Sequence, residues 1–266
     1  MRSATRKAMP HSPDELRTLV EDELDRLELW PELHGQAKSA RYGLVGMGGK
    51  RVRPVISLAV GEALGASLAP VMPAALAIEL VHNFSLVHDD LPALDNDDER
   101  RGKPSVWAAF GEGNAVLAGD ALLAEAFRLA CRYPSSDVAR ELAQATLGMI
   151  GGQFLDTMVS DADLAVVHRL KTGRLFFASV TMALWAAELP LELQEPWRAF
   201  GEQLGLLFQI VDDILDADGY VVLHGAEGAR RLADEAAERA RESLAAVDAD
   251  TSVLREIVDG LAVRTV

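Results

Sequence analysis

Two aspartate clusters carry the densest chemistry in this sequence. The first reads His88-Asp89-Asp90-Leu-Pro-Ala-Leu-Asp95-Asn-Asp97-Asp98-Glu99-Arg100-Arg101-Gly102. The second reads Gln209-Ile-Val-Asp212-Asp213-Ile-Leu-Asp216. Each follows an apolar tract of helical character, so each falls at a helix C-terminus. Carboxylates there repel the helix dipole and one another. Grouping them is unfavourable unless a cation compensates. Hard oxygen donors suit Mg²⁺, which takes one or two protein carboxylates together with substrate phosphate oxygens. Asp212 and Asp216 are four apart and share a helical face. A solvated acidic turn is the plain alternative in a chain with 41 acidic residues. Two such clusters, each capping an apolar helix, weigh against it, and the spacing does not fit a calcium loop of the EF-hand kind.

Several basic residues stand where an anion could be held. Gly48-Gly49-Lys50-Arg51-Val52-Arg53-Pro54 sets three cations beside a glycine pair. Glycines let backbone N–H groups approach an anion, and arginine binds phosphate as a fork. Taken alone, the segment reads more readily as a solvated basic turn. Arg100 and Arg101 follow the first acidic cluster, where they either pair with surface carboxylates or reach a metal-held diphosphate. Lys171-Thr172-Gly173 opens an apolar helix, and a helix start favours an anion. His82 lies inside an apolar helix, where a satisfied core histidine is the ordinary reading. Gln153 and Asp156 face one way from a helix with Gly148, Gly151 and Gly152. The ordinary reading of that pair is a small-residue packing seam with a hydrogen-bonded amide.

Long helices are needed to position these groups. Proline punctuates the first half and leaves 135–189 and 197–266 clear except at their borders. An interior proline costs a helix about 3 kcal/mol, so such tracts suit long helices. Leu16, Leu19, Val20, Leu24 and Leu27 form one stripe after the Ser12-Pro13 start signal. Residues 55–65, 71–88, 114–131, 137–159, 164–186, 197–217 and 227–247 read as further helices. No tract alternates with period two over a useful length. The reading is a single all-α domain over 1–266 with roughly ten or more helices, and residues 1–12 flexible. Residues 71–86 and 175–187 are apolar almost all round, which places those helices inside the bundle.

Composition bounds the rest. The 266 residues carry 26 basic and 41 acidic side chains, a net charge of −15. That balance excludes non-specific nucleic-acid binding, and by itself disfavours an anionic substrate. Cys131 is the only cysteine, so neither an intrachain disulfide nor a cysteine zinc site can form. The basic N-terminal start has no apolar run after it. The longest uncharged stretch, 63–78, falls short of a membrane span. A soluble cytoplasmic protein without membrane insertion is expected.

In their order and spacing, these segments resemble the trans-isoprenyl diphosphate synthases, the family of farnesyl and geranylgeranyl diphosphate synthases. The resemblance runs from about Leu16 to Arg264. Its motifs lie at 48–54, 89–95 with 100–102, 152–156, 171–173 and 208–216. It implies the isoprenoid-synthase fold, an all-α bundle around a central cavity, usually as a homodimer. It further implies a Mg²⁺-dependent prenyltransferase acting on isopentenyl diphosphate and an allylic diphosphate, with three Mg²⁺ ions. On that basis Asp89, Asp95 and Asp212 are expected to ligate metal, with Asp90, Asp213 and Asp216 in support. Arg100 and Lys171 are expected to hold the allylic diphosphate. Lys50, Arg53, His82 and Arg101 are expected to hold that of isopentenyl diphosphate. Thr172 and Gln209 are expected to line the reacting carbons. Phe84, five residues before Asp89, is expected to floor the cavity, and with Ser85 it implies a farnesyl-type product. Phe84 packed in the core is the ordinary alternative.

The chain departs from the family after Asp216, where a glycine-rich loop ending Lys-x-Thr-Tyr is the norm. Here Ala217-Asp218-Gly219 leads straight to Tyr220. The natural chain is therefore expected to be longer by this loop, with a related shortening between Met158 and Asp163. If the deletion is genuine, a diphosphate-binding lysine is lost, and a catalytically silent partner subunit becomes an alternative. A class I terpene cyclase shares the fold and metals but needs no isopentenyl diphosphate set. A di-iron bundle is raised by Glu79-x-x-His82, although that class needs two such motifs.

Overall fold

The computed structural model describes residues 9–264, so much of the segment expected to be flexible, residues 1–8, lies outside the described residues. Helix α1 (Pro13–Arg26) starts where the sequence signals it. The Ser12 side chain accepts from the Glu15 N–H, and Glu15 in turn accepts from Ser12 N–H at 2.8 Å. This reciprocal cap satisfies two donors that a helix start otherwise leaves open. After α2 (Ala37–Arg41) and a π-turn over Tyr42–Gly46, the glycine-rich segment leads into α3 (Val52–Ala63). Helix α4 (Leu68–Asp89) forms the centre of the bundle.

A two-residue antiparallel ladder pairs Glu99–Arg100 with Lys103–Pro104. It is too short to register as alternation in the sequence, and it fixes the turn that carries Arg101. Then come α5 (Val106–Phe110), α6 (Glu112–Ala130), α7 (Asp137–Met158), α8 (Leu164–His168), α9 (Arg174–Ala186), α10 (Glu195–Asp216), α11 (Tyr220–Ala245) and α12 (Ser252–Ala262). The 164–186 tract is not one helix, because a π-turn over Arg169–Gly173 widens it between α8 and α9. Single π-turns of this kind occur often at functional sites. Three α-helices escaped the sequence reading: α2, α5 and α12, two of them only five residues long.

Helix α4 packs against α3, α6, α9 and α7, while α10 packs against α9 and α11. The buried apolar side chains of all these helices form one continuous core. Each fully buried Val, Leu or Ile contributes about 1.5–3 kcal/mol of burial, which is why α4 dominates. Among the described residues α4 is also long and apolar enough to cross a bilayer by length and composition. This corrects the estimate from the uncharged stretch, because the helix extends past Glu79 to Asp89. Two-thirds of its most apolar window is buried inside the bundle.

Glu79 is buried on α4 and accepts from Arg51 Nη1 at 2.7 Å. Arg51 is 5% exposed and left-handed at φ 53°, and it also donates to the Leu44 carbonyl at 3.0 Å. The di-iron reading of Glu79-x-x-His82 is thereby overturned, because the Glu79 carboxylate is committed to Arg51 and Asn83. Arg51 likewise leaves the set of anion-binding cations and becomes the anchor of the glycine loop.

Candidate active site

A cavity of about 480 Å³ opens between α4, α7 and the π-turn leading to α9. Asp89, Arg53, His82, Lys171 and Thr172 share its wall with Phe84, Ser85, Leu175, Met149, Phe154 and Met158. Ionisable groups and long apolar side chains thus line one space. Phe84 is 7% exposed and meets the His88 ring edge-on at 4.9 Å. It is both a core residue and a wall residue.

The C-terminal turn of α4 is bent back on itself. Asp95 N–H donates to the Asp89 carbonyl at 2.9 Å, which returns the Asp95 side chain towards Asp89. Burial raises the Asp89 carboxyl to about 6; Lys171 and Arg100 oppose the rise, and Asp95 and Asp90 add to it. Asp90 is fully buried. Its Oδ1 accepts from Arg100 Nε at 2.7 Å, while Oδ2 has no partner. Arg100 therefore stands on Asp90, 3.8 Å from Asp97, instead of projecting freely.

The end of α10 shows the same imbalance. Its last turn carries no basic residue. Burial, then Asp216, raises the Asp212 carboxyl above the ordinary carboxylate range; Arg264 and Lys50 act against this. Arg264, near the end of the chain, comes within 3.9 Å of Asp212, a contact that no local motif announces. Asp216 is exposed. Asp213 is buried and accepts from Gln209 Nε2 at 2.7 Å and from Tyr220 N–H at 2.8 Å. It thus caps the start of α11 across the short Ala217–Gly219 connection, and it lies 3.7 Å from His168. Gln209 is spent on Asp213 and lies outside the 480 Å³ cavity, lining a neighbouring one with His168 and Tyr220.

The donor set fits a hard divalent cation. Desolvated carboxylates are held towards their neutral form, one buried oxygen lacks a partner, and every donor is oxygen. Among the described residues no three His, Cys, Asp or Glu side chains converge to hold a metal unaided. The chain thus offers part of a coordination shell, which suits an ion completed by substrate oxygens.

A second charged set faces the same space. Arg53 stacks over the Phe176 ring at 4.6 Å. Burial lowers its guanidinium to about 10, with Glu79 and Asp212 acting against the fall. No carboxylate lies within ion-pair distance of Arg53 among the described residues, and its Nε is buried without a partner. Burial, then Arg53 and Arg101, holds His82 well below its ordinary range, so the imidazole is neutral at pH 7. Arg101, left-handed at φ 55°, donates to the Gly48 carbonyl. Gly48 itself sits at φ 67°, a conformation that glycine adopts without strain. Lys50 is exposed beside this group. The structure therefore gathers Arg53, His82 and Arg101, as the sequence leads one to expect, with Lys50 at the rim.

Lys171 forms an ion pair with Asp156 at 2.5 Å. Helix α7 and the π-turn touch at Gly152, where a Cβ would lie 2.3 Å from Lys171 N. The seam read from the glycines is real, but the amide is not hydrogen-bonded: Gln153 Oε1 and Nε2 are both buried without a partner.

The polyprenyl synthetase family profile matches residues 36–224, well over half the chain. The chain belongs to the polyprenyl synthetase family. Farnesyl diphosphate synthase of Bacillus subtilis (strain 168) is 37% identical over 261 residues, covering 85% of this chain and 88% of that protein. That matched span exceeds the part of this chain it covers, so the relative carries segments without a counterpart here. A chloroplastic large subunit of heterodimeric geranylgeranyl pyrophosphate synthase from Arabidopsis thaliana is 39% identical over 251 residues, covering 80% of this chain and 67% of its own. The geranylgeranyl pyrophosphate synthetase structure from the archaeon Geoglobus acetivorans superposes with a TM-score of 0.85 at 29% identity, over 94% of this chain and 99% of its own. The isoprenoid-synthase fold is thus common to this polyprenyl synthetase and its relatives.

Proposed function

We propose that this chain is a Mg²⁺-dependent trans-prenyltransferase that joins an allylic diphosphate to isopentenyl diphosphate head to tail, giving a short-chain product of farnesyl type. One domain spanning the chain carries the activity, in the cytoplasm. The observation that carries this reading is the pairing of two charged sets around one apolar cavity. Desolvated carboxylates end α4 and α10, and the cations Arg53 and Arg101 form a separate group with the neutral imidazole of His82. A terpene cyclase needs the first set but not the second.

Bound Mg²⁺, three ions by family resemblance, supplies electrostatic stabilisation to the diphosphate that leaves. Asp89, Asp95 and Asp212 would hold it, supported by Asp90, Asp213 and Asp216. Arg100 and Lys171 add positive charge where the allylic C–O bond breaks and its electron pair departs with the diphosphate. Lys50, Arg53, His82 and Arg101 hold the second diphosphate, so the isopentenyl double bond meets the electron-deficient carbon and the new C–C bond forms. Thr172 and Gln209 present dipoles to the reacting carbons; for Gln209 this requires release from Asp213. The proton lost from the isopentenyl unit passes to the released diphosphate, so no protein base is required. The apolar wall keeps water from the cation.

A homodimer belongs to the same reading. Val116 and Leu117 on α6 and Leu147, Ile150, Phe154 and Met158 on α7 are 41–70% exposed. No charged residue occurs between Leu142 and Leu155. An apolar face of this kind supports burial against a second copy.

The deciding experiment is incubation with isopentenyl diphosphate, Mg²⁺ and each allylic primer in turn, with product length read by chromatography. Elongation of at least one primer is expected. No elongation with any primer defeats the enzyme reading and favours the silent-subunit alternative, for which the short connection after Asp216 speaks.

A further inference from the structure

We infer that Gln153 contacts the reacting end of the allylic substrate and stabilises the charge that develops there. This rests on the prenyltransferase reading and adds a residue to it. Several uncharged or paired polar groups on the cavity wall are committed, whereas the unpaired cation Arg53 is assigned to the second diphosphate. Ser85 donates to the His82 carbonyl at 2.8 Å, the His88 ring nitrogen lies 3.0 Å from the Val116 carbonyl, and Lys171 is paired with Asp156. Gln153 lines the same wall, yet its carbonyl oxygen and amide nitrogen are both buried and unpartnered. A buried amide with neither atom satisfied is a standing penalty in the free protein. A residue selected only for packing would replace it with an apolar side chain of like volume.

Position supplies the role. Gly152 presses α7 against the backbone of Lys171, so the next residue lies at the seam beside Lys171 and Thr172. Asp89 and Phe84 line the same cavity, so Gln153 borders the space open to the allylic carbon next to the diphosphate. An amide whose oxygen faces a developing carbocation gives fixed-dipole stabilisation without forming a bond. The bonds that break and form are those already described, and Gln153 neither gains nor loses a proton.

The test is Gln153→Leu, read by kcat with saturating substrates and by thermal unfolding without substrate. A contact made in the transition state predicts a kcat loss of about 10-fold to 100-fold. Removal of two unsatisfied buried atoms predicts a melting temperature equal to the wild type or about 2 °C higher. That combination supports the inference. A kcat within twofold of wild type overturns it, and so does a melting temperature that falls together with kcat, which marks a packing role. Should Gln153→Leu not fold, Gln153→Met, unbranched and of similar length, is read against the same thresholds. A wild-type chain without turnover overturns the prenyltransferase reading and this inference together. An active wild type with an unimpaired variant overturns this inference alone.

Discussion

At the scale of single residues, environment decides which charges remain available. Arg51 and Arg53 are two positions apart with the same side chain. One is committed to Glu79, and the other has no carboxylate partner and faces the cavity. His82 has a folded-state pKa well below its ordinary value because of burial and then Arg53 and Arg101. The unfolded chain therefore takes up a proton below about pH 6.5 that the folded chain does not, and stability falls as pH drops through that value. Replacing His82 with Asn removes this linkage, so the decline in melting temperature from pH 7 to pH 5 is expected to become shallower than in the wild type. An unchanged slope in thermal scans at those pH values counts against it. Phe84→Ala opens the cavity floor, and longer products are expected on chromatography of the reaction mixture. An unaltered product distribution returns Phe84 to a purely structural role.

At the scale of elements, the site depends on how closely α7 and the π-turn approach. Gly152→Ala would put a methyl group 2.3 Å from the Lys171 backbone nitrogen. Because that neighbour is backbone, the elements themselves must separate. Overpacking of this kind costs about 1–3 kcal/mol. The expected result is a lower melting temperature together with a fall in kcat, because Lys171 and Thr172 move with the turn. Wild-type values in both measurements would show that the contact is not needed. The helices themselves were legible in the sequence: α1, α7 and α10 fall within two residues of the patterning. The π-turn was not, because no local pattern distinguishes Arg169–Gly173 from the helical turns on either side, and the segment lies in close contact with α7 at Gly152. The kink at Gly225 inside α11, where φ is 71°, divides what the sequence marks only from 227 onwards.

For the whole molecule, a net charge of −15 by itself disfavours an anionic substrate. The tertiary structure resolves this by separating charges: carboxylates at two helix ends, with cations drawn from α3, from the turn between the two ladder strands and from the π-turn before α9. The exposed apolar face on α6 and α7 borders the cavity, since Ile150, Phe154 and Met158 belong to both. Leu147, 70% exposed on that face, lies outside the cavity wall. Leu147→Asp is expected to shift the protein from dimer towards monomer in sedimentation velocity. A wild type that sediments as a monomer would remove the homodimer from the proposed function.

The sequence by itself determined the all-α class, the two carboxylate clusters at helix ends and the family, because hydrophobic period, proline spacing and motif order are local and survive without coordinates. It left open what each motif residue touches. Only the tertiary structure decided that Glu79 neutralises Arg51, that Asp156 holds Lys171, that Asp213 caps α11 and that Gln153 has no partner. Those outcomes depend on contacts between residues 7 to 28 positions apart, on how closely helices approach, and on which buried polar groups packing leaves unsatisfied. No local pattern encodes these.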